Sequence, residues 1–342
     1  MKALVLTEYL KLEYKDVPDP QIKANEVLLR IKASAICGSD IHGYDGSSGR
    51  RIPPIIMGHE ASGVIEAIGT EVKGFATGDR VTFDSTVYCR NCHPCTIGNI
   101  NLCENRRVFG VSCDDYSKDG AFAEYLAVPE YILYRLPETV TYEEASAIEP
   151  LAIALHAVNR TRIRTGDDIM VVGCGTIGQL TIKLLNIMGC GSITAVDIDS
   201  AKLKMAQKNG VDNVINSKDK NVNSRILELT GGVGVDSAIE AVGISDTVGY
   251  TIKSLKKGGE VTLVGNIQKN IDFPLQYAVT NEISINTSCA SAGEYVTCLK
   301  LINSGKIDLK DIIGLTAPLS EGAGVFDKLQ KDSSIIKAVL LP

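Results

Sequence analysis

Val171-Val172-Gly173-Cys174-Gly175-Thr176-Ile177-Gly178 is the stretch that decides the fold. Residues 169–172 read as a buried strand, and an apolar helical pattern runs over residues 177–188. The three glycines, spaced G-x-G-x-x-G, therefore fall at a strand-to-helix turn. There a pyrophosphate can approach the backbone and meet the free N–H groups and positive dipole of the helix amino terminus. The bare motif is weak evidence, but this context makes it a dinucleotide site, with Gly173, Gly175, Thr176, Ile177 and Gly178 as the contacts. Asp197 closes the next apolar segment, about 20 residues further on, where a carboxylate accepts from both adenosine ribose hydroxyls. It would repel a 2′-phosphate, which favours NAD over NADP. Lys202 reads either as a further cofactor contact or as a charge on a helix surface.

Outward from the motif, strand-like and helix-like patterns alternate. Strands are expected at 169–172, 193–196, 214–215, 238–239 and 261–264, with helices at 177–188 and 201–208. This alternation predicts a parallel sheet covered by helices over residues 151–288. Val264, Gly265 and Asn266, at the end of the last of these strands, are expected against the dinucleotide. Residues 1–150 differ: short strands such as 27–32 and 63–68 lie between glycine and proline turns, a β-rich pattern. Residues 289–342 carry helical periodicity through Val296, Leu299 and Ile302, and again through Val325 and Leu329, then an apolar strand at 338–341. A chain of 342 residues exceeds what a single core usually serves, so more than one domain is expected.

The composition, 44% hydrophobic and 22% charged with a net charge of −6, is that of an ordinary folded enzyme. Its acidic balance argues against nucleic acid or an anionic membrane as partner, since both call for a basic footprint. A small-molecule substrate fits better. The amino-terminal residues carry early acidic groups and no apolar core, and the most apolar later stretch, 169–189, contains Gln179 and Lys183. Cytoplasm is the expected location.

Of the 10 cysteines, Cys89, Cys92, Cys95 and Cys103 lie on one short loop. Four thiolates satisfy a tetrahedral zinc with no open position, which makes this a structural site. No basic helix follows Cys103, so a nucleic-acid-binding module is the weaker reading. A more scattered set, Cys37, His59, Glu60 and Glu149, mixes sulfur, nitrogen and oxygen. Three such ligands leave a fourth position for water or substrate, as a Lewis-acid zinc requires. Taken singly, each has an ordinary role: a core cysteine, a satisfied histidine, a Glu-Pro helix start.

Together, Cys37-Gly38-Ser39-Asp40, Gly58-His59-Glu60, the four-cysteine loop, Glu149-Pro150 and the glycine motif resemble the zinc-containing medium-chain alcohol dehydrogenase family. Within it they are most similar to the sorbitol, polyol-phosphate, threonine and butanediol dehydrogenase branch, nearly end to end. The resemblance implies an α/β protein in which a doubly wound parallel Rossmann sheet is inserted into a β-rich, GroES-like catalytic domain built from both chain ends. It implies NAD and two zinc ions per chain. Cys37, His59 and Glu149 match the catalytic zinc ligands, with Glu60 beside the metal or exchanging onto it. Ser39 matches the hydroxyl that takes the substrate proton, and His42 the base that delivers it to solvent. The implied reaction moves hydride from a secondary alcohol to NAD and yields a ketone.

Substrate is read less directly. Arg50 and Arg51, between the first two ligands, could grip a phosphate, as in a galactitol-1-phosphate or arabitol-phosphate dehydrogenase, or could be surface charges or subunit-contact residues. A threonine 3-dehydrogenase is a further alternative, yet the basic pair that sorbitol and threonine relatives often carry is missing from Leu315-Thr316-Ala317-Pro318-Leu319. A catalytically silent NAD-binding sensor and a zinc-free quinone reductase are the readings from other classes, and both conflict with the retained ligand set. Residues 282–286 resemble the family's edge strand that pairs across a dimer, so a homodimer or homotetramer is expected.

Overall fold

In the computed structural model, which describes residues 1–113, 115–219 and 221–342, alternation in Glu26–Ile36 produces an 11-residue strand. Val27, Leu29, Ile31, Ala33 and Ala35 all turn inward, as a period of two requires. This strand is longer than the short segments expected at 27–32 and 63–68, because register shifts at Leu28/Leu29 and Ile31/Ala33 keep it paired to Glu60–Ile68 as the sheet bends;. It anchors a seven-stranded sheet in the order Leu133–Arg135, Arg80–Phe83, Glu60–Ile68, Glu26–Ile36, Lys337–Leu341, Ile313–Pro318, with Tyr125–Pro129 also on Glu26–Ile36. The last strand of the chain thus lies antiparallel to an early one, Ala338 opposite Ile36 and Leu340 opposite Ser34.

The chain divides into two units, residues 1–149 with 295–342, and residues 150–294. The divisions expected from sequence came after 150 and 288. In the first unit the helix Gly322–Lys331 sends Phe326 into a core with Leu4, Phe122 and Leu340, edge-on to the rings of Tyr44 and Phe122. Burying a side chain of that size contributes roughly 1.5–3 kcal/mol.

The second unit holds a six-stranded parallel sheet in the order Asn213–Asn216, Ser192–Asp197, Asp168–Val172, Val235–Glu240, Leu255–Leu263, Ser284–Thr287. Thr176–Met188, Ser200–Lys208, Val222–Leu229 and Ser245–Ser254 are its main helices. Strand order reverses between Asp168–Val172 and Val235–Glu240, and a ligand crevice forms at the carboxyl ends of strands on either side of such a reversal. Gly173 and Glu240 sit there. The strand expected at 261–264 begins earlier, at Leu255, through Gly258 and Gly259, and ends one residue before Val264. Among the described residues no helix is long and apolar enough to cross a membrane.

Candidate active site

Cys37 follows the last residue of Glu26–Ile36 and caps the helix Gly38–Tyr44. Its Sγ accepts from the Ser39 N–H at 3.5 Å, and the Asp40 carboxylate accepts from the Cys37 N–H at 3.1 Å. His59 is set by Gly58, whose φ is +94° and where a Cβ would meet the Phe122 ring at 2.7 Å; both demands select glycine. Glu60 opens the next strand opposite Ala35.

These elements bring one ligand atom each of Cys37, His59 and Glu60 within 4.8 Å of one another. Glu149, in the first turn of Ile148–Asn159, is not in that tight group. It is buried, its Oε1 accepts from Ser85 Oγ at 3.4 Å, and its Oε2 has no partner. Burial pushes its carboxyl up to about 8 despite the attraction of His59. Its orphaned Oε2 is a buried acceptor left for a further group;. With a thiolate, an imidazole and orphaned carboxylate oxygen in one buried region, the donor set fits zinc with an open position.

Two groups that the sequence reading passed over support this centre. Lys337, itself buried, donates to both oxygens of Glu60 at 3.0 and 2.7 Å and to the Ile36 carbonyl at 3.2 Å. Burial works against its charge, but Glu60 outweighs that and raises its pKa. Its signal in the sequence was a lone cation inside the apolar strand Lys337–Leu341. Asp40 is fully buried, and although burial opposes ionisation, His59 and Arg51 hold its carboxyl well below the usual range. Its Oδ1 lies 3.4 Å from His59 Nδ1 and 3.1 Å from Arg51 Nη2.

Arg51 corrects an expectation. It is only 4% exposed and bonded to Asp40 and Ser39, so it is neither a surface charge nor free to grip a phosphate. Arg50 beside it is exposed. Ser39 and His42 lie one turn apart on Gly38–Tyr44, both exposed, with His42 Nδ1 3.3 Å from Ser47 Oγ. Tyr295 is a further group missed from sequence: it is fully buried, with an unpartnered hydroxyl, and stacks on Tyr134. Burial raises its phenol well above the ordinary value, and the charges of Asp84 and Glu149 add to that.

On the cysteine loop, Cys92 Sγ lies 3.4 Å from Cys95 Sγ and 3.8 Å from Cys103 Sγ. Sulfurs on a tetrahedral zinc with 2.3 Å bonds stand about 3.8 Å apart. Backbone N–H groups of Cys89 and Asn105 point at Cys103 Sγ, and that of Cys92 at Cys89 Sγ. The Asn91 N–H is the main cause that draws Cys89 down to about 6. These N–H groups support thiolates, and the set fits a closed zinc site.

In the second unit Gly173 has φ +86° and donates to Val196 O, while Gly178 approaches the Gly173 carbonyl so closely that a Cβ would stand 1.8 Å from it. At Gly175 a Cβ would meet nothing within 4 Å. That open side, at the amino terminus of Thr176–Met188, leaves room for a phosphate, with Thr176 and Ile177 opening the helix. Asp197 Oδ2 accepts from Cys174 N at 2.6 Å and Oδ1 from Asp199 N at 2.8 Å, which fixes its carboxylate and leaves further lone pairs for a ribose. Val264 and Gly265 donate to the Glu240 carbonyl, Asn266 is exposed, and the Lys202 carbonyl accepts from the buried Gln179 side chain at 2.9 Å. The residues present fit a dinucleotide.

Residues 23–138 match the family model described as alcohol dehydrogenase GroES-like domain, and residues 176–304 match that of the zinc-binding dehydrogenases. The chain is 30% identical to sorbitol dehydrogenase of Bacillus subtilis, over 100% of this chain and 97% of the relative. Among solved structures, 2R,3R-butanediol dehydrogenase from Bacillus subtilis superposes with TM-score 0.90 at 28% identity, covering 100% of this chain and 99% of that one. Galactitol-1-phosphate dehydrogenase from Escherichia coli gives TM-score 0.93 at 26% identity over all of both chains.

Proposed function

Because the chain belongs to the zinc-containing alcohol dehydrogenase family, and is an NAD-linked oxidoreductase of small alcohols and polyols, we propose that its substrate is an unphosphorylated polyol or vicinal diol. A secondary carbinol of that substrate becomes the ketone. The observation that carries the site is the meeting of half-buried Cys37 with buried His59 and Glu60, and the partnerless Glu149 oxygen close to the same charges. The burial of Arg51 against Asp40 supports an unphosphorylated substrate, since it removes one of the two arginines of this loop from contact with any phosphate.

Cys37, His59 and Glu149 hold the catalytic zinc, Cys89, Cys92, Cys95 and Cys103 the structural one, and Gly173, Gly175, Gly178 and Asp197 the dinucleotide. When bound, the metal supplies Lewis-acid polarisation of the alcohol oxygen and NAD accepts the hydride. Asp40 orients His59 and the Cys37 backbone. Lys337 engages both Glu60 oxygens, which keeps Glu60 a neighbour of the centre rather than a resting ligand. Ser39 accepts the substrate hydroxyl proton, and His42, one turn along the helix, passes it to solvent.

The exposed edge strand Ser284–Thr287, paired on one side only in the sheet order, supports a homodimer or homotetramer that covers it. Thiolate ligands need a reducing compartment, which supports the cytoplasm.

NAD reduction measured against alditols, vicinal diols, their phosphates and threonine tests the substrate reading. The highest kcat/KM is expected for an unphosphorylated polyol or diol. A phosphate ester or threonine preferred over every free polyol would overturn it.

A further inference from the structure

A second buried cation near the candidate centre is Arg51, and neither the ligand set nor the phosphate reading accounts for it. Its stem lies against the backbone of Gly38–Tyr44 at Gly43, where a Cβ would stand 2.1 Å from Arg51 Cγ. Its Nη1 donates to the Arg50 carbonyl at 3.0 Å, which pins the guanidinium from behind. The same Arg50 carbonyl accepts from Ser112 N at 3.2 Å, so the segment carrying Arg51 is tied to a second strand. Nη2 then has two hydrogens for two acceptors, Asp40 Oδ1 at 3.1 Å and Ser39 Oγ at 3.3 Å.

That second bond sets what Ser39 can do. A serine hydroxyl has one hydrogen to donate and two lone pairs to accept with. Arg51 occupies one lone pair from the buried side. One acceptor position and one hydrogen are left, on a residue that is itself exposed.

We propose that Arg51 is a positioning residue for proton transfer, holding Ser39 Oγ so that its free lone pair takes the substrate hydroxyl proton while its own hydrogen leaves outward. No charge is created on Ser39: the O–H bond to the incoming proton forms as the outgoing O–H bond breaks, and the outgoing proton goes to His42, one turn along the helix, and from there to solvent. The inference rests on the proposed role of Ser39 and adds the group that gives that hydroxyl a direction.

The test is steady-state kinetics on the zinc-loaded enzyme, with a polyol substrate, for Arg51→Met, Arg51→Lys, Gly43→Ala, Ser39→Ala and the Ser39→Ala/Arg51→Met pair. Arg51→Met is expected to lower kcat roughly 10- to 100-fold, the range for losing a group that orients a reacting one, with KM, NAD affinity and zinc content unchanged. Arg51→Lys restores part of the loss. Gly43→Ala, which keeps the charge but displaces the stem, lowers kcat in the same direction, and it decides the matter should Arg51→Met fail to fold. In the Ser39→Ala background Arg51→Met adds no further loss, because two residues acting through one step are not additive. The same fractional loss in both backgrounds, a fall in zinc content, or wild-type kcat in Arg51→Met or Gly43→Ala would overturn the proposal while leaving Ser39 in place. Full activity of Ser39→Ala alone would instead remove the relay, and this inference with it.

Discussion

His59→Ala is expected to abolish turnover while leaving a folded chain. His59 is buried between Cys37 and Asp40 and contributes the only imidazole in its group of ligand atoms. Without it the centre keeps a thiol, Glu149 and a Glu60 engaged by Lys337, too poor a set to hold zinc. A Lewis acid contributes several kcal/mol to the transition state, and each 1.36 kcal/mol is tenfold in rate, so kcat/KM falls by roughly three orders of magnitude or more. The four-cysteine loop shares no residue with this group, so far-ultraviolet circular dichroism and NAD affinity are expected to stay at wild-type values. Metal analysis and stopped-flow NADH absorbance check both halves. An active His59→Ala enzyme would detach the chemistry from this cluster.

Lys337→Met has the largest expected effect on stability. Removing one partner of a buried ion pair strands the other, at a cost of about 3–5 kcal/mol. Here Glu60 is 0% exposed, and both its oxygens lean on Lys337. The Ile36 carbonyl, next to the metal-ligand candidate Cys37, loses a donor as well. Replacing both partners by apolar residues is often close to neutral, so the Lys337→Met/Glu60→Met pair is expected to regain most of the loss. Urea unfolding of the three chains measures this. Equal stability of Lys337→Met and wild type would mean that the pair does not hold the two ends of the chain together.

What the sequence revealed tracks how close its evidence lay along the chain. The glycine motif, the cysteine loop and the alternating strands are local patterns, because turn geometry, metal spacing and side-chain period act over a few residues. The α/β class could be read from them. The metal-ligand candidates could be named because Gly58-His59-Glu60 and Cys37-Gly38-Ser39-Asp40 are short motifs. Their supports were not legible. Lys337 and Glu60 stand 277 positions apart, and only the pairing of Lys337–Leu341 with Glu26–Ile36 brings them together. Arg51 read as a loop charge because nothing in Gly49-Arg50-Arg51 shows that Gly43 leaves space for its stem. Tyr295 only precedes the helical pattern of Val296, Leu299 and Ile302 and carries no local mark of its burial. In each case a polar group is buried by tertiary contacts that no local period encodes.

Zinc content of the purified chain, measured by plasma emission against protein concentration for wild type and Glu149→Ala, tests the central claim most directly. Two zinc ions per chain in the wild type, one for each cysteine-containing cluster, and one in an inactive but folded Glu149→Ala is the expected result. A single zinc in the wild type, or a Glu149→Ala chain that keeps two and turns over normally, would contradict it.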